Sequence, residues 1–557
     1  GGFFDWLSIG GVEKGNNQFN WRPDEFWWWF RASRIINSFD IYGNSLDYTI
    51  QEFPFFSLML GDIHPHVISI PFVLTGLSVM FNVFLSRVKW GFSWIISYPV
   101  GSVLLVLVIG SSGFINQADI ILIITIFVST VLLKSYRENN GVKSTIVIKV
   151  LPTSIVFILI SIAIFSPFYF DTLKGQIQFP PIAPAAYGSR PIHLLTVWGF
   201  FVILLVPFIL KYSGVLFYFS SLGILSSTGP LSRMSRGIRI HLLGTISFIP
   251  SLIIVGLFIV WGITHLLFNP DSVPFDLIKR LGTILPLGFI FFIVFLVLVY
   301  RLRRGSYDSS QYGLLLILIS TLLIYGCELF FINDLFGNRM NTIFKVYYQV
   351  WIILSLVSAY GLHRWYRTQS NLRGIGLLLS RTLIVLIAVL LLGPIWYLFS
   401  ASVSKASEYD GPTTINGWHH LKLRDQSEAK AIEWLNREAG PGARIVEAVG
   451  PSYTDYGRIS AATGLPTILA WSNHERQWRG IIDDIDNREL DVRLIYETDQ
   501  LVLAEQIIDR YGIEYVIIGA RERNTYPKLY EEKFDTLGYK VLDLNGMTIY
   551  RIKRTGS

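Results

Sequence analysis

Apolar runs long enough to cross a bilayer recur through the first four hundred residues of this chain, and no other feature restricts its fold as strongly. A hydrocarbon core of about 30 Å is spanned by about 20 predominantly apolar residues in a helix. Runs of that kind lie near 67–86, 92–113, 118–134, 147–168, 193–211, 241–267, 279–300, 311–331, 346–362 and 376–400. Composition agrees: 52% of the 557 residues are hydrophobic and only 16% are charged, against about a quarter charged in soluble domains. The chain reads as a polytopic α-helical membrane protein with about ten spans.

Its net charge of +7 does not point to nucleic acid, because the cations gather in short loops, where they encode topology. Arg87 and Lys89, Lys134 to Lys143, Lys211, Arg233 to Arg239, Arg301 to Arg304 and Arg364 to Arg373 share one side. Loops around Asp119, Asp171, Asp271 and Asp334 share the other. The basic set is expected in the cytoplasm and the protein in the plasma membrane as a multi-pass chain. Residues 213–230 are apolar but short, and are expected to be re-entrant or interfacial. Residues 1–65, the loop 328–345 and everything after about 401 then fall on one external face. The single cysteine, Cys327, excludes a disulfide framework and a Cys-rich metal site; a small buried side chain is its expected role.

Residues 47–66 deliver Asp62, His64 and His66 to the mouth of the first apolar run. Three such groups at a membrane edge are costly to desolvate and usually functional; the plain alternative is that Gly61-Asp62 ends a loop and caps the next helix. Asp-x-His-x-His offers oxygen and imidazole ligands suited to a divalent metal, Mg or Mn. In an extended segment residues two apart face one side, so all three would converge.

Beyond residue 400 the composition changes to ordinary soluble density, and domain limits are expected at 1–65, 66–400 and 401–557. Ser427 to Arg437 reads as an amphipathic helix stopped by Gly440-Pro441-Gly442, with a strand at Arg444 to Ala448. Leu501 to Tyr511 reads as a second helix, ended by Gly512 before the strand Tyr515 to Ile518. Lys540 to Leu544 and Met547 to Ile552 form a hairpin turning at Asn545-Gly546. This is a C-terminal external α/β domain without Gly-x-Gly-x-x-Gly, P-loop or Gly-x-Ser-x-Gly.

Three motif blocks carry a family resemblance. The first is Glu52-Phe53-Pro54-Phe55-Phe56-Ser57, Leu60 to His66 and Pro71-Phe72. The second is Glu328, Asp334, Gly337, Arg339 to Thr342, Phe344-Lys345 and Tyr347 to Trp351. The third is Glu447 to Gly450, Ser452-Tyr453, Arg458 to Ser460, Thr463 to Pro466 and His474 to Gly480. Together they resemble the YYY-domain membrane proteins of archaea and Chloroflexi, a family defined by a domain of unknown function. Members of that family are longer, with spans, an acidic motif and a Tyr-Tyr-Tyr run before this point. This chain begins Gly-Gly-Phe-Phe, with no initiator Met or signal peptide, and is read as a fragment or processed product.

The architecture also resembles, by fold-level analogy, the GT-C glycosyltransferases, which take a sugar from a polyprenyl-phosphate carrier. That resemblance implies hexosyl transfer on the external face, with inversion, a membrane-lipid environment and an acceptor the sequence does not name. A carboxylate would activate the acceptor hydroxyl and a cation or metal would hold the leaving phosphate. Asp62, Glu52 and Asp334 are the candidate acid/base groups, and Asp62, His64 and His66 the candidate metal ligands. Arg339 and Lys345 would hold phosphate; Glu328, a further substrate-binding candidate, and Asp334 would accept a proton, bind metal or merely pair with these cations.

Asn341 and Tyr348 belong to the same block; an aromatic belt is favoured over sugar stacking for Tyr347, Tyr348 and Trp351. Asn116 and Asp119 match the family's Asn-x-x-Asp pattern and would line the cavity, with capping the alternative for Asp119. Trp27, Trp28 and Trp29 beside Arg31 and Arg34 are expected to touch headgroups or to anchor their loop. His474 and Arg476, near Trp471 and Trp478, would form an acceptor-binding lid, or an ordinary polar loop. Two further functions remain open: a transporter or lipid flippase, and a non-catalytic envelope assembly protein docking through residues 401–557.

Overall fold

The computed structural model describes residues 21–553 except 24, 26, 40–41, 43, 62, 140–147, 149, 173–179, 214–247, 269–272, 304–307, 335, 368–371, 409–413 and 480–481. Two compact units divide the chain near residue 408.

The first unit is helical, and proline sets where several helices start. Pro54, Pro65, Pro99 and Pro191 each open a helix, where the missing N–H costs nothing and the fixed φ is already helical. The helices are α1 (Pro54–Leu60), α2 (Pro65–Leu85), α3 (Phe92–Ser97), α4 (Pro99–Ile115), α5 (Asp119–Glu138), α6 (Leu151–Ile164), α7 (Pro191–Ser213), α8 (Phe248–Phe268), α9 (Val273–Arg303), α10 (Ser309–Leu329), α11 (Met340–Tyr366) and α12 (Gly374–Ser407). Eight of these are long and apolar enough to cross a membrane; α4 and α6 are apolar but shorter. Each of these ten falls on one of the ten expected runs; residues 147, 149 and 241–247 of those runs lie outside the described residues. Residues 214–230 of the expected re-entrant segment lie outside the described residues, and α7 runs through Ser213.

Between helices, β1 (Ile182–Pro184) pairs antiparallel with β2 (Phe330–Ile332). The pairing is extended by Ala185 N–H to Leu329 O at 2.8 Å and Asn333 N–H to Pro181 O at 3.0 Å. It gives loop backbone groups partners that a membrane-edge site would otherwise lack. Helix crossings use small residues: a Cβ on Gly110 would meet the Ser161 carbonyl at 2.5 Å, so α4 and α6 approach at backbone contact.

The final span, α12, is gripped at its two ends. Near its start Leu377, Leu383 and Ile384 pack with Leu210, Trp365 and Leu372. Near its finish Tyr397 and Ala401 pack with Trp28, Trp29, Phe53 and Phe56. Between Ser380 and Ser400 only Ile387 is buried.

In the second unit four strands run in the order β3 (Ile445–Val446), β4 (Tyr515–Ile518), β6 (Met547–Ile552), β5 (Gly538–Leu544). β3 and β4 are parallel and the rest antiparallel. Alternate residues face opposite cores, as the two-residue strand period requires. Val446, Val516, Ile518 and Tyr550 join one core with Val492, Ile495, Ile507 and Ile508. Ile445, Tyr515, Ile517 and Ile549 join the other with Ala431, Ile432 and Leu435. The expected helices appear at Gln426–Glu438, N-capped by Asp425 accepting from Glu428 N–H at 2.9 Å, and at Leu501–Tyr511. The hairpin turns at Gly546, φ +89°, which only glycine adopts freely.

Candidate functional site

The second motif block folds into a closed, buried ion network. Arg339 ends the loop before α11 and is 2% exposed. Its Nε lies 3.1 Å from both carboxylate oxygens of Asp47, and its Nη2 2.5 Å from Asp47 Oδ2. Its Nη1 lies 3.1 Å from Glu328 Oε1, and its Nη2 also donates to Ser189 Oγ at 3.1 Å. Ser189 donates its N–H and hydroxyl to the two Glu328 oxygens at 2.7 Å each. Tyr347 donates to Glu328 at 3.3 Å, and Arg280 binds the Glu328 carbonyl. Burial opposes the guanidinium charge, but Glu328 and Asp47 more than offset it and hold Arg339 firmly protonated. Two carboxylates already use the fork expected to hold a phosphate, so Arg339 acts as a structural pair here. Tyr347 and Tyr348 point inward, 2% and 0% exposed, rather than forming the favoured lipid belt; tertiary partners, not headgroups, take up their rings.

The first block builds a second cluster. Glu52 Oε2 accepts from Ser57 Oγ at 2.9 Å and faces His66 Nε2 at 3.5 Å, while Arg34 stands 3.5 Å from Oε1. Burial pushes the Glu52 carboxyl up, but hydrogen bonds from His66 and Ser57 and the charges of Arg34 and His66 hold it below the usual carboxylate range. The His66 ring lies edge-on to Phe344 at 4.5 Å and Tyr348 at 4.6 Å. The first and second blocks therefore meet, as expected.

The expected extended run through the signature turn does not form. Pro65 opens α2, so His66 is already helical, and His64 is the extended N-cap residue with its ring 5.4 Å from that of His66. Gly61, φ +78°, closes α1. Asp62 lies outside the described residues. Among the described residues no group of three His, Cys, Asp or Glu is placed to hold a metal.

A third cluster joins both blocks to the α4–α5 turn. Asp119 begins α5, is 1% exposed and accepts from Asn116 Nδ2 at 2.8 Å. It makes no capping bond, and among the described residues its Oδ2 has no hydrogen bond. Ser69 of α2 and Gln349 of α11 stand near it, linked to each other at 3.2 Å. One turn earlier on α11, the half-buried Lys345 lies in the field of Asp334 and Asp119 without an ion pair to either. Asp334 is held locally, accepting from Asn341 Nδ2 at 2.8 Å and Phe336 N–H at 3.0 Å. Among the described residues this leaves a buried carboxylate with a bare oxygen and an ammonium without an ion pair at the same end of the bundle, a pair that can accept a proton and hold an anion.

The tryptophan triplet anchors its loop. Trp28 Nε1 donates to Ser404 Oγ at 2.8 Å and Trp29 Nε1 to Glu408 Oε1 at 3.0 Å. Within the second unit, His474 packs edge-on against Trp471 at 5.5 Å and Tyr453 at 5.6 Å, and Arg476 pairs with Asn473 at 3.0 Å and with Asp486. Also there, Glu447 is buried and accepts from Ser460 N–H at 2.9 Å and Ile459 N–H at 3.2 Å. Burial pushes its carboxyl up to about 7; those N–H groups and Arg521 oppose the rise, and nearby Glu522 adds to it.

Asp47, Ser189 and Arg280 were not singled out from sequence. Asp47 opens the signature stretch, but nothing local links it to Arg339. Ser189 and Arg280 carry no motif signal at all.

A family model described as uncharacterized membrane protein (DUF2298) matches residues 4–354; the third motif block lies beyond it. No curated protein matches the chain. Among solved structures the chain is similar to the Archaeoglobus fulgidus oligosaccharyltransferase in its apo form, at 15% identity and TM-score 0.30, covering 82% of this chain and 52% of that one. It is also similar to the oligosaccharyltransferase AglB of the same organism in complex with an inhibitory peptide and a dolichol-phosphate, at 14% identity and TM-score 0.29, covering 89% and 57%. A third structure, tethered with an acceptor peptide containing the NVT sequon, gives 16% identity and TM-score 0.30 over 89% and 57%. The chain spans little more than half the length of these proteins.

Proposed function

We propose, from the premise that the chain belongs to this family of uncharacterized membrane proteins (DUF2298), that it is an integral-membrane glycosyltransferase using a polyprenyl-phosphate-linked sugar on the external face of the plasma membrane. One observation carries the reading: among the described residues, Asp119 Oδ2 is buried without a hydrogen bond, and Lys345, whose charge acts on Asp119, forms no ion pair. Asp119 is assigned the base that takes the proton of an acceptor hydroxyl. The hydroxyl oxygen attacks the anomeric carbon, the bond from that carbon to the carrier phosphate breaks, and the configuration inverts. Lys345 holds the charge that grows on the departing phosphate. Asn116 fixes the Asp119 carboxylate, and Ser69 and Gln349 supply polar contacts beside it.

His64 and His66 remain proposed ligands for Mg or Mn together with Asp62. His66 Nε2 faces Glu52 and Ser57, so the described residues alone supply fewer than three ligands, and the reaction above uses none. The soluble unit, with its lid candidates His474 and Arg476, is assigned to the extracytoplasmic side and to the acceptor. A flippase is less well supported: Asp119, Glu328, Arg339 and Lys345 sit at helix ends, not at mid-span where a transport path is expected.

Native mass spectrometry of the full-length protein in mild detergent tests the reading, wild type beside Lys345→Met and Asp119→Asn. A co-purifying polyprenyl phosphate, retained in Asp119→Asn and lost in Lys345→Met, is expected. Bulk phospholipid alone in all three samples rejects the donor site and favours the docking-module alternative.

A further inference from the structure

Tyr453 and Trp471, in and beside the third motif block, have no part in the chemistry assigned above, yet they build an aromatic shelf on the second unit. Thr467 and Trp471 bridge in parallel to Ile445 and Gly450, and β3 is in turn parallel to β4. The loop 450–457 therefore leaves at the carboxyl end of parallel chain segments, the usual edge for a ligand in an open α/β sheet. It is pinned there. The Gly450 N–H donates to the Ala470 carbonyl at 3.0 Å, and a Cβ on Gly457, φ +75°, would meet Ala470 Cβ at 2.5 Å. A Cβ on Gly450 would stand 2.4 Å from the Tyr456 ring, whose hydroxyl lies 2.9 Å from Thr525 Oγ1.

From this fixed loop Tyr453 stands out, 74% exposed and with φ +61°. A bulky residue in the left-handed region is a genuine outlier, and such outliers gather at functional sites. Glycine would take this conformation freely, and a ring so exposed returns little burial for the strain. Its centroid lies 5.8 Å from that of Trp471 and 5.6 Å from that of His474, which are themselves 5.5 Å apart. The Trp471 Nε1–H is shielded from water and, among the described residues, has no acceptor, where a buried indole N–H usually has one. Charges beside the shelf are already paired: Arg476 with Asn473 and Asp486, and Asp455 with Arg424 and Arg458.

We propose that Tyr453, Trp471 and His474 form a binding site for a neutral carbohydrate. A sugar ring has an apolar C–H face that stacks on an aromatic ring, and a rim of hydroxyls. One hydroxyl accepts from Trp471 Nε1 once the exposed Tyr453 side chain turns to admit it. The paired charges around the shelf give an anion no advantage there over an uncharged sugar. This gives the acceptor assigned to the second unit a chemical class, and for that identification alone it rests on the proposed function; the binding itself does not require the transfer reaction.

The test is saturation-transfer NMR on the full chain in mild detergent, with mannotriose, maltotriose and chitotriose, and with the tripeptide Gly-Phe-Gly as the control. At least one trisaccharide is expected to take up saturation on its ring C–H protons. Tyr453→Gly should weaken that binding about tenfold, the worth of one aromatic contact. Its thermal midpoint should hold or rise, because the left-handed strain is relieved. Trp471→Phe, which keeps a ring and deletes the donor, should show a smaller loss. Unchanged binding in either variant, no trisaccharide bound by wild type, or a lower midpoint in Tyr453→Gly overturns the proposal. Gly-Phe-Gly bound in place of the sugars overturns it in favour of a peptide. Sugar bound equally by wild type and Asp119→Asn, with no transfer by wild type, supports the shelf and removes the transferase reading. Transfer by wild type with no sugar held at the shelf does the reverse.

Discussion

Arg339 closes its guanidinium on the carboxylate of Asp47, 292 residues earlier in the chain, with Nε 3.1 Å from both oxygens and Nη2 2.5 Å from one. The pair joins the loop before α1 to the start of α11, and Glu328 completes a triad inside a water-excluding shell.

Breaking that triad from one side is expected to be severe. Arg339→Met removes the cation that two buried carboxylates share, leaving Arg280 as the nearby charge for Glu328, and should cost about 3–5 kcal/mol. The check is the thermal midpoint of the detergent-purified protein, followed by intrinsic fluorescence. Combining Arg339→Met with Asp47→Asn and Glu328→Gln should recover much of the loss, because uncompensated charge and not the missing contact dominates.

Asp119→Asn is expected to separate activity from stability. The amide keeps a contact to Asn116 and removes a charge with an unpaired oxygen, so the thermal midpoint should hold or rise. Glycosyl transfer from a polyprenyl-phosphate donor should fall by about 10²–10⁴-fold, the usual worth of a general base. Lys345→Met should instead weaken donor retention. Full transfer by Asp119→Asn would remove it from the reaction.

Glu52 gives a pH dependence of definite sign. Its folded pKa lies below the ordinary 4.5, so its contribution to stability is complete above that pH and disappears as pH falls through the lower folded value. Wild type should therefore lose stability below about pH 4.5 more steeply than Glu52→Gln. Parallel acid-unfolding curves for the two proteins would contradict the assignment.

Glu447 works in the opposite direction. Its folded pKa is raised from 4.5 to about 7, so between those values the folded state binds the extra proton and stability declines as pH rises. Above about 7 the decline stops. Hydrogen exchange at the Ile459 and Ser460 amides, corrected for the intrinsic rate, should show protection falling across that window. In Glu447→Gln the fall should be smaller, with the neighbouring Glu522, whose carboxyl is also raised by burial, supplying what remains.

The membrane helices were readable because the solvent imposes one rule, about 20 apolar residues in a run, and each expected run contains a helix. The hairpin at Asn545-Gly546 was readable for a similarly local reason, a turn that demands a positive φ. Lys345 and Asp119 could be named as candidates, yet their contrast with Arg339 could not. Whether a cation is free or spent depends on a partner such as Asp47, and chain distance hides that partner. Pro65 misled the reading of the histidines: an alternating Asp-x-His-x-His suggests an extended run, while a proline favours a helix start just there. In the second unit the helix Ile482–Glu497 has no clear sequence signal because its apolar face is broken by charged residues, and its place is decided by packing on the sheet.

The last span, held at Leu383 and again at Ala401 with little covered between, is clamped like a plucked string. Its tips fix where it stands in the plane of the bilayer, leaving its middle turns to choose neighbours by fluidity alone. Val389, Leu392 and Ile395, 57%, 63% and 50% exposed, can then exchange among aliphatic residues without a structural penalty. An acyl chain approaching from this side meets an exposed aliphatic stretch bounded at both ends by packed side chains.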